Sequence, residues 1–241
     1  MKKLLLSLAG FFALAVFAQD NQVNDPNATP RAVTAGFNAI QVSSGIDLYI
    51  SPGNTESMAV SANDPKYLDR LKTEVVNGTL KIYFDKTGLT GKTGFKNLKA
   101  YVSFKALEKL VASAGSEVHV IGIFETGNLS LEISSGADFK GTVHAKTLLA
   151  SVSSGAVISI SGKADQLTVD VSSGAEFNGY GFAADLCDAK ASTGASVQVT
   201  INKKLNAHAV SGADIRYKGA ALIGNKKVRG GGSVKKSKIT V

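Results

Sequence analysis

The 241-residue chain has one cysteine, no tryptophan, four prolines and only 19% charged residues, where about a quarter is usual. A lone Cys187 leaves no intramolecular disulfide to hold the fold, so stability must come from a packed interior. Cys187 also lies far from the apolar N-terminal run, which excludes a lipid-modified cysteine at that point. Beyond that first run, no apolar stretch approaches the roughly 20 residues of a membrane-spanning helix. A hydrophobic fraction of 44% excludes a disordered chain, and the composition is not that of collagen. What the chain has instead is 25 glycines and abundant serine, a composition that favours many short strands and tight turns over long helices.

The N-terminus reads as an export signal. Lys2 and Lys3 precede an apolar run over 4–17, and Val16 with Ala18 forms a small-residue cleavage pair, so residues 1–18 are expected to be a signal peptide. Residues 19–32 are polar, carry two prolines and show no apolar period, and are expected to be a flexible leader. Ordered structure is then expected over 33–241 as one domain, with irregular coils over 33–110 and regular repeats over 111–241. Phe37, Ile40, Val42, Ile46, Leu48 and Ile50 alternate around Gly45 as two strands. Asp64-Pro65 with Leu68 and Leu71 predicts one short helix ending before Asn77-Gly78. Strands over 80–84 and 98–104 flank a Gly/Thr/Lys-rich loop over 86–95.

The second half repeats. Ser-Ser-Gly and its variants place Gly115, Gly136, Gly155, Gly174, Gly194 and Gly212 at separations of 21, 19, 19, 20 and 18 residues. Positions three, five and seven before each glycine are Ala, Val, Ile, Leu or Cys from the second unit on, for example Val171, Val169 and Leu167. Positions one and three after it are also apolar, as in Ala156 and Ile158. Each unit therefore reads as two short strands joined at a glycine corner, with an apolar face too small to be buried alone. Stacking the units at about 4.8 Å joins those faces into one core, giving an all-β, right-handed parallel β-solenoid with about 20 residues per coil. Gly45 marks an earlier corner of the same kind.

Arg31 and the segments Gly36-Phe37-Asn38-Ala39-Ile40-Gln41-Val42, Ser44-Gly45-Ile46-Asp47-Leu48-Tyr49-Ile50 and Asn77-Gly78-Thr79-Leu80-Lys81-Ile82, followed by the Ser-Ser-Gly repeats, resemble the DUF2807 family, named putative auto-transporter adhesin, head GIN domain. The likeness runs over roughly residues 31 to 228. It implies a right-handed β-helix exported by bacteria, shaped like pectin lyases but without their catalytic residues. The family pattern consists of turn and core positions, so no functional residue is carried over from it.

Signals for catalysis are weak. The hydroxyl columns at Ser134, Ser153, Ser172 and Ser192 have no base in reach, because His119, His144 and His208 occupy different repeat positions. No G-x-S-x-G elbow occurs, and the S-x-x-K match at Ser233-Val234-Lys235-Lys236 lacks its companion motifs in the required order. The second residue after each glycine faces outward and is often acidic: Glu117, Asp138, Glu176 and Asp214, interrupted by Val157 and Ser196. A carbohydrate-active enzyme would need a carboxylate pair or a Ca²⁺ cluster on such a face. Asp138 and Glu176 are expected two coils apart, about 9.6 Å, with Val157 between them, which suits a solvated ladder better. Neither a metal nor a cofactor is expected, and Cys187, at an inward position, should be a small buried hydrophobe.

Charge is the stronger clue. Residues 203–241 hold ten Lys and Arg against Asp214 alone, including Lys226, Lys227, Arg229, Lys235 and Lys236, in a chain of net charge +8. These cations, with the Gly230-Gly231-Gly232 break, protect an open solenoid end, or attract an anionic glycan or lipid headgroup. Export, and a basic run in which Tyr217 is the one aromatic among the cations, argue against nucleic acid. The expectation is an exported, non-enzymatic solenoid acting as an interaction or adhesion module at the bacterial cell envelope, in the periplasm, at the surface or secreted. The competing readings are a carbohydrate-active enzyme on the acidic face and a periplasmic structural scaffold.

Overall fold

The computed structural model describes residues 25–34, 36–89 and 97–237. The expected signal peptide, the leader over 19–24, the loop over 90–95 and the chain end with Lys238 lie outside the described residues.

The repeat half stacks in sequence order. Strands β9 (Glu117–Ile133), β10 (Asp138–Val152), β11 (Val157–Val171), β12 (Glu176–Ala191) and β13 (Ser196–Val210) each pair in parallel with the next. Each coil is thus one long strand that bends, where the sequence suggested two short ones. Residues counted inward from the repeat glycines fall into columns, with Ile133, Val152, Val171, Ala191 and Ala209 in successive register and all nearly inaccessible. Fully burying a Val, Leu, Ile or Phe side chain stabilises by about 1.5–3 kcal/mol, so each coil gains mainly from covering its neighbour's inner face.

The corners explain the glycines. In residues 153–156 both Ser154 (φ 55°) and Gly155 (φ 70°) are left-handed, and the Ala156 amide bonds back to the Ser153 carbonyl at 3.2 Å. This is a type I′ turn, which needs positive φ at both central residues. Each corner glycine amide also donates to the next corner: Gly136 to Ser154, Gly155 to Ser173 and Gly174 to Thr193, at 3.0 to 3.1 Å. Among the described residues, no hydroxyl of one corner bonds the hydroxyl of the next, so the ladder there is backbone. The uneven glycine spacing is absorbed by bulges within the strands, between Lys140 and Thr142 against β9 and between Ser159 and Ser161 against β12.

The N-terminal half does not stack in sequence order. Here lie β1 (Thr29–Arg31), β2 (Ala39–Val42), β3 (Asp47–Pro52), β4 (Ser57–Ser61), a 3-10 helix (Pro65–Arg70), β5 (Leu71–Val76), β6 (Thr79–Phe84), β7 (Lys99–Phe104) and β8 (Lys109–Ala112). β2 and β3 form a coil sandwiched between the later β6 and β7 on one side and β8 and β9 on the other, all parallel. Antiparallel strands then close the end: β4 on β7, β5 on β6 and β1 on β4.

Two expectations are corrected here. Pairing starts before residue 33: β1 is part of the cap, Asp25 accepts hydrogen bonds from Ser61 and Tyr101 at 2.7 Å, and the Arg31 guanidinium donates to the Leu68 and Leu71 carbonyls. A polar segment can be ordered when its partners supply the hydrogen bonds that its own sequence lacks. The helix is a single 3-10 segment started by the Asp64 carboxylate and Pro65, and Leu71 already begins a strand. Asn77 and Gly78 form a type I′ hairpin between β5 and β6 in place of a helix end, because both have positive φ.

At the other end come β14 (Asp214–Lys218), β15 (Leu222–Arg229) and β16 (Ser233–Lys236). The Gly230-Gly231-Gly232 run is no break. Gly230 (φ 55°) and Gly231 (φ 77°) form one more corner, and the Gly212 amide donates to the Gly230 carbonyl at 3.0 Å.

Candidate interaction surfaces

The outward columns of the coil carry the side chains available to a partner. The first is acidic. Asp47, Glu117, Asp138, Val157, Glu176, Ser196 and Asp214 stand in successive register. Asp47 was missed in the sequence, although counting two residues on from Gly45 finds it. It sits opposite Glu117, and burial first, then the Glu117 charge, pushes its carboxyl above the usual aspartate range. Two acids find partners along their own strand: Glu117 lies 3.1 Å from His119, and one carboxylate oxygen of Asp214 is 2.6 Å from the Arg216 guanidinium, while its Oδ1 is buried without a hydrogen-bond partner among the described residues. A parallel column stacks Tyr101, Tyr49 and His119, with ring centroids 5.2 and 4.9 Å apart, so their faces cover one another.

A cavity of about 40 Å³ lies away from these acids, in the N-terminal cap among residues such as Val33, Met58, Val75 and Leu80, and has room for about one water molecule. Among the described residues no cluster of three or more His, Cys, Asp or Glu could hold a metal ion, and no helix is long and apolar enough to cross a membrane. Cys187 lies in the inner column between Leu167 and Leu205, and burial drives its thiol far above the usual range.

The second surface is the basic C-terminal end. Arg216 stands in register with Lys235, and Lys218 lies 4.3 Å from the centre of the Tyr180 ring. Lys227, Arg229, Lys235 and Lys236 are exposed, and no carboxylate pairs with any of them among the described residues. Arg216 is itself paired with Asp214, so the one like-charged pair in register there, Arg216 with Lys235, is partly offset. Lys226 differs from the other cations. It takes the inward column after Ala207, and its ammonium crosses the open end to donate to the Val234 carbonyl at 3.0 Å. The corner glycines, Gly45 through Gly212, lie along one edge with nothing crowding a Cβ at most of them, and offer backbone alone.

Fold and surfaces together define a parallel β-solenoid whose functional potential lies on its outer columns and ends. The chain belongs to the DUF2807 family, described as putative auto-transporter adhesin, head GIN domain, whose profile matches residues 36–221. Solved structures share the fold, among them three putative binding or adhesion proteins. A putative adhesin from Bacteroides fragilis NCTC 9343 superposes with TM-score 0.78 at 16% identity, over 88% of this chain and 98% of that one. One from Parabacteroides merdae ATCC 43184 gives 0.68 at 18%, over 89% and 98%. A structure described as a putative lipid binding protein, from Parabacteroides distasonis ATCC 8503, gives 0.62 at 19%, over 89% and 98%. No protein of curated function matches the chain. The family and the fold support an adhesion-like module.

Proposed function

We propose that this chain is an exported, non-enzymatic adhesion module of the bacterial envelope whose basic C-terminal end meets phosphate-bearing partners, on a glycan or a lipid headgroup. The observation that carries this reading is the set of four exposed cations without carboxylate partners, Lys227, Arg229, Lys235 and Lys236, on the last coil. A structural neighbour described as lipid binding is consistent with it. Unpaired, clustered cations at one end concentrate anions and steer them there, and the attraction weakens as salt rises.

The test is cosedimentation with vesicles of phosphatidylglycerol in phosphatidylcholine, alongside pure phosphatidylcholine vesicles and a phosphorylated polysaccharide. Binding to either phosphate carrier, lost on Lys227→Glu, Lys235→Glu and Lys236→Glu together and weakened by salt, is expected. Binding that is indifferent to those charges refutes the site. The enzymatic alternative predicts turnover of some polysaccharide that disappears on joint replacement of Glu117, Asp138 and Glu176 by Ala; no turnover in the parent protein removes it. Protease accessibility on intact cells separates a surface adhesin from a periplasmic scaffold.

A further inference from the structure

The two ends of the solenoid are built differently. At the N-terminal end the outermost coil, β6 and β7, is closed by antiparallel strands of the same chain, and β4 lays Met58 and Val60 over the core in doing so. At the C-terminal end β15 pairs only with β13 and β16 only with β14, so both present an unpaired backbone edge among the described residues. The inner columns that end on β15 stop there in the open, while Val234, which ends its column on β16, stays buried. Ile223 follows the fully buried Leu205 and is 37% exposed, and Val228 follows the fully buried Ala209 and is 41% exposed. Lys226, stretched across the end to Val234, is a polar lid where the next coil would lie.

We propose that this edge accepts one further strand, supplied by an acidic extended segment of a partner protein. An unpaired strand edge is a template for strand addition, in which backbone hydrogen bonds give affinity and alternate side chains give selectivity. The β4 cap shows the chemistry such a strand needs, with apolar residues facing inward in alternation. Charge selects the occupant. Lys227 and Arg229 flank the edge, so two identical C-terminal ends repel each other, while carboxylates at the outward positions of an incoming strand pair with those cations. Apolar residues at its inward positions cover Ile223 and Val228. This inference does not rest on phosphate recognition: it uses the backbone edge, which a phosphate group does not engage as a ladder.

The experiment titrates the full chain with a short blocked peptide alternating Val and Glu, followed by fluorescence anisotropy and hydrogen exchange. Saturable binding with new protection of the amides of β15 or β16 is expected. The same peptide N-methylated at every residue should not bind, and Lys227→Glu with Arg229→Glu should weaken the parent peptide about tenfold. Equal binding of the N-methylated peptide, or of an oligoglutamate, overturns strand addition and leaves only charge attraction. No binding, or self-association of the chain that buries β15, overturns it as well. Failure to bind both the anionic vesicles and the phosphorylated polysaccharide, while peptide binding persists, would refute the phosphate reading alone.

Discussion

Glycine does two different jobs in this solenoid, and substitution should separate them. At Gly155, in a type I′ corner with φ 70°, an added Cβ meets no heavy atom within 4 Å. The cost of Gly155→Ala is therefore only that of holding an L-residue in the left-handed region, about 1 kcal/mol. At Gly162, on the bend of the same coil, φ is 115° and an added Cβ would lie 2.0 Å from the Val143 carbonyl oxygen. That contact is with backbone on the neighbouring coil, so relief requires moving a rung of the ladder, and Gly162→Ala should cost at least about 3 kcal/mol. Urea denaturation followed by circular dichroism reads both. Asn tolerates left-handed backbone better than Ala, so Gly155→Asn should be milder than Gly155→Ala. Equal losses for Gly155→Ala and Gly162→Ala would refute the distinction between an open corner and a blocked bend. A Gly155→Asn variant weaker than Gly155→Ala would refute the backbone explanation of the corner.

The remaining predictions concern single side chains. Cys187 should resist a maleimide reagent in the native protein and react promptly in denaturant; rapid native labelling would contradict its burial. Because burial and Glu117 raise the carboxyl of Asp47, the folded chain holds that proton more tightly than the unfolded chain does. This contribution to stability falls as pH rises from about 4 through the raised value and is level above it. Asp47→Asn should accordingly stabilise at neutral pH, by up to about 1 kcal/mol, with little effect in acid below both values; a loss at neutral pH would contradict the repulsion. Arg31→Ala removes two hydrogen bonds to the carbonyls of Leu68 and Leu71 and should cost about 1–2 kcal/mol, with faster hydrogen exchange in β1 and β4.

The sequence alone determined whatever depends on neighbours one to three residues apart. A corner needs two consecutive left-handed residues, so a glycine recurring every 18 to 21 residues announces those from Gly115 to Gly212, whereas the corner at Gly230 and Gly231 read as a break. Period-two alternation about those corners names the inner columns down to Cys187; the same count from Gly45 leads to Asp47, which the sequence reading overlooked. Only the tertiary structure decided the rest. Which coil lies on which is settled by burying an exposed inner face, and that drew β6 and β7 outside the earlier β2 and β3, turned the polar segment of β1 into a cap, and left β15 as an edge. Lys226 shows the limit most plainly. In the sequence it is one cation among ten, but because its position faces inward where the core ends, its ammonium spans that end and meets the carbonyl of Val234.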